Sequence, residues 1–124
     1  MYYKDNVLLV RHLNELYAVR YDRESDKVIS LNKYQISHGN IGISQDDIIV
    51  CFNKLLRFDT LTNNFIVLEE NKDNIYTSIG RKNKILIKEL NDLDWIILYD
   101  YYNKKTIKLS LETGITMNDI HIID

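Results

Sequence analysis

Residues 55–68, Leu55-Leu56-Arg57-Phe58-Asp59-Thr60-Leu61-Thr62-Asn63-Asn64-Phe65-Ile66-Val67-Leu68, read as two short apolar runs either side of a polar turn. Taking Asp59 as position 0, apolar residues stand at −3 (Leu56), −1 (Phe58), +7 (Ile66) and +9 (Leu68). The same offsets around Asp22 give Val19, Tyr21, Ile29 and Leu31, and around Asp100 they give Ile97, Tyr99, Ile107 and Leu109. Residues two apart share one face of a strand, so each copy predicts a hairpin of two half-buried strands. The apolar period of two excludes an amphipathic helix. The aspartate closes the first strand, where its carboxylate can accept a backbone N–H two residues on and form an Asx-turn.

The three aspartates follow one another at 37 and 41 residues. Several short strands per unit at a period of roughly 40–50 residues is the pattern of propeller repeats. Around the hairpins, further strands are expected at 7–10, 41–44, 48–52, 75–79, 85–90 and 115–123. Residues 1–6 read as a polar lead-in, and no segment reads as a helix. The fold class expected is therefore all-β, with three four-stranded antiparallel propeller-like blades in a single domain over 1–124, the repeat units running approximately 7–47, 48–84 and 85–124.

The hairpins resemble the outer half of a β-propeller blade, most nearly of the kelch type. The aromatic-Asp pair that ends a strand in that family is matched by Tyr21-Asp22, Phe58-Asp59 and Tyr99-Asp100, and its leucine by Leu31, Leu68 and Leu109. Ser37-His38-Gly39, then Ile41, then Ile48-Ile49-Val50, is similar to the way one kelch unit runs into the next. Two features depart from the family. Its Gly-Gly pair is replaced by Arg11-His12, Cys51-Phe52 and Glu89-Leu90, and its tryptophan by Val28, Phe65 and Thr106. The resemblance implies a scaffold that mostly binds proteins, with some relatives acting as oxidases or isomerases. Propellers close with about four to eight blades, so three blades leave apolar flanks that need partners. A homo-oligomer is expected, with a two-fold dimer forming a six-bladed ring favoured over other assemblies and over a compact monomer.

The bulk properties narrow the function classes. With 45% hydrophobic and 27% charged residues, the chain can build a core. A net charge of −2 gives no basic footprint for duplex nucleic acid. The single cysteine, Cys51, forms no internal disulfide and points to a reducing, cytoplasmic setting. No apolar run reaches the ~18–20 residues of a membrane span. Proline is absent and Ile, Asn, Lys and Tyr are abundant. That bias is one an AT-rich genome produces, whether of a low-GC bacterium, its phage or a large DNA virus.

No catalytic, cofactor or metal constellation emerges. His38 beside Gly39 can serve as a base or ligand, but no second ligand stands at a suitable spacing, and a surface-loop histidine is the plainer reading. His12 and His121 lie in strand contexts. Cys51, inside Ile-Ile-Val-Cys-Phe, reads as a small buried hydrophobe. The repeated Asp22, Asp59 and Asp100 read as turn caps rather than acid–base groups. Two patches carry contact potential. One is the basic turn with Arg81 and Lys82, preceded by Tyr76 and Ser78; the other is the tyrosine–lysine turn Tyr101, Tyr102 and Lys104. Three functions stay open. The first is a non-enzymatic interaction protein, of phage or viral type, that binds or sequesters a host component. The second is a small-ligand binder of lectin or nucleotide-binding type with pockets between blades. The third is an enzyme at a ring channel, where His38, Arg81 and His121 would meet.

Overall fold

A computed structural model describes residues 2–4, 6–36, 39, 41–44, 47–78 and 84–110. These residues form twelve strands: β1 (Tyr2–Lys4), β2 (Val7–His12), β3 (Glu15–Asp22), β4 (Lys27–Gln35), β5 (Ile41–Ile43), β6 (Ile49–Cys51), β7 (Lys54–Asp59), β8 (Asn64–Glu70), β9 (Asn74–Ser78), β10 (Lys84–Glu89), β11 (Asp92–Asp100) and β12 (Lys105–Ser110). They make three four-stranded antiparallel sheets, each a meander of consecutive strands. We call β1–β4 the front sheet, β5–β8 the middle sheet and β9–β12 the rear sheet. The all-β, three-sheet architecture expected from the repeat is what the chain adopts.

The polar lead-in contains a strand. Tyr2–Lys4 pairs with Val7–His12, so the front sheet begins before residue 7. Each later sheet likewise opens with the strand that the repeat spacing assigns to the end of the unit before: Ile41–Ile43 pairs with Ile49–Cys51, and Asn74–Ser78 pairs with Lys84–Glu89. A run as short and neutral as Tyr2-Tyr3-Lys4 carries no periodicity of its own; its partner strand makes it a strand.

The three aspartates occupy like places at the end of the third strand of each sheet. Asp22 Oδ1 accepts the Glu24 N–H at 3.1 Å and its Oδ2 accepts the Ser25 hydroxyl at 2.7 Å. Asp59 accepts the Leu61 N–H at 3.0 Å and the Thr62 hydroxyl at 2.9 Å. Asp100 accepts the Asn103 N–H at 3.3 Å and the Asn103 side-chain amide at 2.8 Å. These bonds favour the ionised form, so the Asp22 and Asp59 carboxyls sit below their ordinary range. The residue at +4 is left-handed in every turn: Asp26, Asn63 and Lys104, at φ 53°, 56° and 53°. Asp and Asn tolerate that region better than most residues.

The two apolar pairs of each hairpin lie on opposite faces of their sheet. Positions −3 and −1 face the sheet before. Leu56 and Phe58 pack into the core shared with the front sheet, and Ile97 and Tyr99 into the core shared with the middle sheet. Position +9 faces the sheet after, with Leu31 in the first core and Leu68 in the second. In the front and middle sheets that leucine sits in a β-bulge: Ala18 pairs with Asn32 and Val19 with Ser30, and Leu55 pairs with Glu69 and Leu56 with Val67. The extra residue re-aims the strand. The rear sheet runs Ile96↔Leu109 and Leu98↔Ile107 without a bulge at this place, and Leu109 stays 45% exposed.

The middle sheet is therefore covered on both sides. Ile49 and Cys51 belong to the core toward the front sheet, while Ile48 and Val50 belong to the core toward the rear sheet. This accounts for the continuous apolar run there, since a strand buried on both faces needs no polar alternation. At the inner edge the middle and rear sheets come close enough to demand a glycine. A Cβ on Gly42 would lie 2.7 Å from Ser78 Cβ. Gly42→Ala is expected to destabilise the fold by about 1–3 kcal/mol through overpacking. Adding Ser78→Gly should return a large part of that loss in urea titrations; an additive pair would show that the two residues do not meet.

Candidate functional site

The structure brings Tyr76, Tyr101 and Lys104, which belong to two separate stretches of sequence, around one carboxylate, Glu69. Glu69 lies near the C-terminal end of β8, paired with Leu55 and next to the bulged Leu68. Its Oε2 accepts the Tyr76 hydroxyl at 2.6 Å and its Oε1 the Tyr99 hydroxyl at 2.7 Å, from strands β9 and β11 of the rear sheet. Lys104 Nζ stands 4.0 Å from Glu69 Oε1 and 3.5 Å from the centre of the Tyr101 ring. Tyr101 packs edge-on to Tyr102 with centroids 5.5 Å apart. Arg57, on the middle sheet, donates to the Tyr102 hydroxyl at 3.3 Å.

The cluster has a buried and an exposed half. Tyr76 and Tyr99 are 3% and 7% exposed. Burial first, and the bond to Glu69 second, push both phenols far above the ordinary tyrosine value of 10.0. They are hydrogen-bond donors that stay protonated, and the carboxylate that accepts both is occupied by them. This half fastens the rear sheet to the middle one. Because the folded state holds these protons more tightly, the stability involved is complete below about pH 10 and is lost as the pH rises through the folded values. Alkaline titration followed by phenolate absorbance should show the exposed tyrosines ionising first and a late step coincident with unfolding. Tyr76→Phe with Tyr99→Phe should remove that late step.

The exposed half is a surface. Tyr102 is 46% exposed, and Leu61, at the same position of the preceding turn, is 93% exposed. Tyr102, Arg57, Tyr101 and Lys104 form an aromatic and cationic rim across the middle and rear sheets. Sequence reasoning found the tyrosines and the lysine but missed Glu69, Tyr99 and Arg57. Glu69 carried no signal, because it looks like any charged residue at the end of a strand.

Ser78 has a structural place. Its hydroxyl donates to the Ile43 carbonyl at 3.4 Å beside Gly42. His38, Arg81, Lys82 and His121 lie outside the described residues, and with them the basic turn and the channel-mouth grouping. Cys51 is buried, and burial pushes its thiol up to about 11, which suppresses the reactive thiolate. Among the described residues no group of three His, Cys, Asp or Glu side chains is placed to hold a metal ion, and no helix is long and apolar enough to cross a membrane.

A second polar cluster joins the front and middle sheets. Lys54 Nζ donates to the Tyr34 hydroxyl at 3.2 Å and pairs with Glu70 at 3.1 Å. Both partners raise its affinity for the proton, Tyr34 most. Asn32 reaches across to the Asn63 carbonyl at 2.8 Å. Beside Lys54 is a pocket of about 250 Å³ lined by Tyr34, Gln35, Ile36, Cys51, Asn53 and Lys54.

Fold and site together define an all-β protein of three stacked antiparallel sheets with a tyrosine-rich rim. No protein-family model, no curated protein and no solved structure shows a significant match to the chain.

Proposed function

We propose that this is a non-enzymatic interaction protein whose three sheets are propeller-like blades of kelch-like build, and that the turn rim of the middle and rear sheets meets a protein partner. One observation carries the reading: the half-buried Tyr101 and the exposed Tyr102 are held in place before any partner arrives, by Lys104 over one ring and Arg57 on the other hydroxyl. Ordered aromatic and cationic side chains lose little freedom on binding and are the residue types that dominate protein interfaces. Leu61, at the equivalent position of the middle sheet's turn, offers a further apolar side chain, 93% exposed. A phage or viral protein that binds or sequesters a host component suits the composition, and a reducing cytoplasmic setting suits the single buried thiol.

The test is a comparison of partners captured by cross-linking to the wild-type chain and to a Leu61→Asp, Tyr102→Ala double variant. The variant is expected to bind the wild-type partner at least about tenfold more weakly, equivalent to about 1.4 kcal/mol. Undiminished capture would remove the rim from the reading.

The pocket beside Lys54 favours a second reading, a small-ligand site of lectin or nucleotide type between blades. Its volume is below the ~300–1,000 Å³ usual for ligand sites, and its amine already has two partners. A thermal shift with sugars or nucleotides that disappears in Lys54→Ala would favour it over the rim.

A further inference from the structure

We propose that the outer face of the front sheet is an interface at which two copies of this chain meet about a two-fold axis, front sheet against front sheet. The inference rests on the reading of the sheets as blades that stack through fixed positions. Within the chain, positions −3 and −1 are covered by a neighbouring sheet both times a neighbour precedes them, at Leu56 and Phe58 and at Ile97 and Tyr99. In the front sheet the same positions are Val19 and Tyr21. They share their face with Leu8 and Val10 of β2, Tyr17 of β3 and Val28 of β4, as the cross-strand pairs Leu8↔Val19, Val10↔Tyr17 and Tyr21↔Val28 require. None of these six belongs to either core cluster. Tyr21 is 45% and Val28 65% exposed, and the other four are half-buried. This is a face of the kind the chain covers at each internal junction.

The opposite end of the stack differs. Leu86 and Ile96 point away from the middle sheet, on the face of the Leu98↔Leu86 and Leu98↔Ile107 pairs, yet they are 1% and 0% exposed. The centre of the rear face is closed. A head-to-tail six-bladed ring would need that centre open to receive the front face of a second copy. Ile107 and Leu109, on the edge strand of that rear face, remain 57% and 45% exposed, but with the centre closed it is the front face of a second copy that can lie against this one, which makes the contact isologous. The charges on this face allow it. Glu15 and Lys33 lie side by side, 3.7 Å apart, so a two-fold axis can set each against its opposite.

Light scattering on the full chain tests the proposal. The wild type is expected at twice the chain mass. Val28→Glu, on an exposed edge-strand position remote from either core, should raise the dissociation constant at least about a hundredfold by burying an unpaired charge. Val19→Glu should do the same, and unchanged circular dichroism and melting of dilute Val28→Glu exclude misfolding as the cause. Ile107→Glu on the rear sheet should leave the dimer intact. A wild type that stays monomeric at micromolar to millimolar concentration overturns the proposal. So does a dimer dissolved by Ile107→Glu and not by Val28→Glu, which would establish head-to-tail stacking. Tyr102→Ala leaves the mass unchanged, so failure of this interface and failure of the partner-binding rim are separable.

Discussion

Leu55→Ala is expected to destabilise the protein by about 3–5 kcal/mol, as a truncation at the centre of a packed core should. Leu55 has no exposed surface and lies in the core between the middle and rear sheets with Ile48, Val50, Ile85 and Ile87. The cost has two parts, the lost transfer of the apolar side chain and the cavity left behind. A site walled by two sheets relaxes little, so the second part should be near its upper range. Domains of this size have total stabilities of about 5–15 kcal/mol, so the variant should unfold at a sharply lower urea concentration. Leu61→Ala in the same hairpin should move the midpoint little, because Leu61 is 93% exposed. A Leu55→Ala loss below about 1 kcal/mol would mean that the middle and rear sheets do not share a packed core.

Glu69→Ala is expected to cost about 2–4 kcal/mol, far more than an ordinary surface substitution. The carboxylate is the acceptor for two hydroxyls, those of Tyr76 and Tyr99, on rings that are almost wholly buried. Removing it strands both donors, and the penalty is their desolvation rather than the net worth of the bonds. The Glu69 side chain is 29% exposed, so water can reach part of the gap and keeps the loss below the sum for two dry donors. Glu69→Gln retains an acceptor and should cost less. The decisive comparison is the triple variant with Tyr76→Phe and Tyr99→Phe, which removes donors and acceptor together and should recover more than half of the Glu69→Ala loss. Additive losses across the triple variant would show that the three residues are not one network.

The hairpins were legible because each is local. Asp22, Asp59 and Asp100 cap turns within three residues of themselves, and the offsets between aspartate and apolar residues survive without a gap. A second repeat was less legible. The tight turns before the third strands hold Leu13-Asn14, Phe52-Asn53 and Leu90-Asn91. Their distances from the aspartates differ, so an ungapped comparison passes over them. Leu13 and Phe52 take left-handed conformations there, at φ 53° and 44°. The Asn14 carbonyl accepts the Ile36 N–H at 2.8 Å and the Asn53 carbonyl the Asn71 N–H at 3.1 Å. The candidate site was half legible. Tyr76, Tyr101, Tyr102 and Lys104 stood out by residue type, whereas Glu69, Tyr99 and Arg57 acquire their roles from two sheets meeting.

Local patterns were enough to specify the strands, their antiparallel hairpins and the repeated turn caps. All of these depend on residues within one hairpin of each other, where periodicity and turn chemistry act. Which apolar pair looks forward and which looks back emerged only on packing, because alternation along a strand separates its two faces without saying which neighbour each will meet. The same holds for Tyr17, which remains on an outer face while Tyr76 and Tyr99 are buried against Glu69. Burial belongs to the packing of whole sheets, and no pattern within one strand specifies which neighbour will arrive.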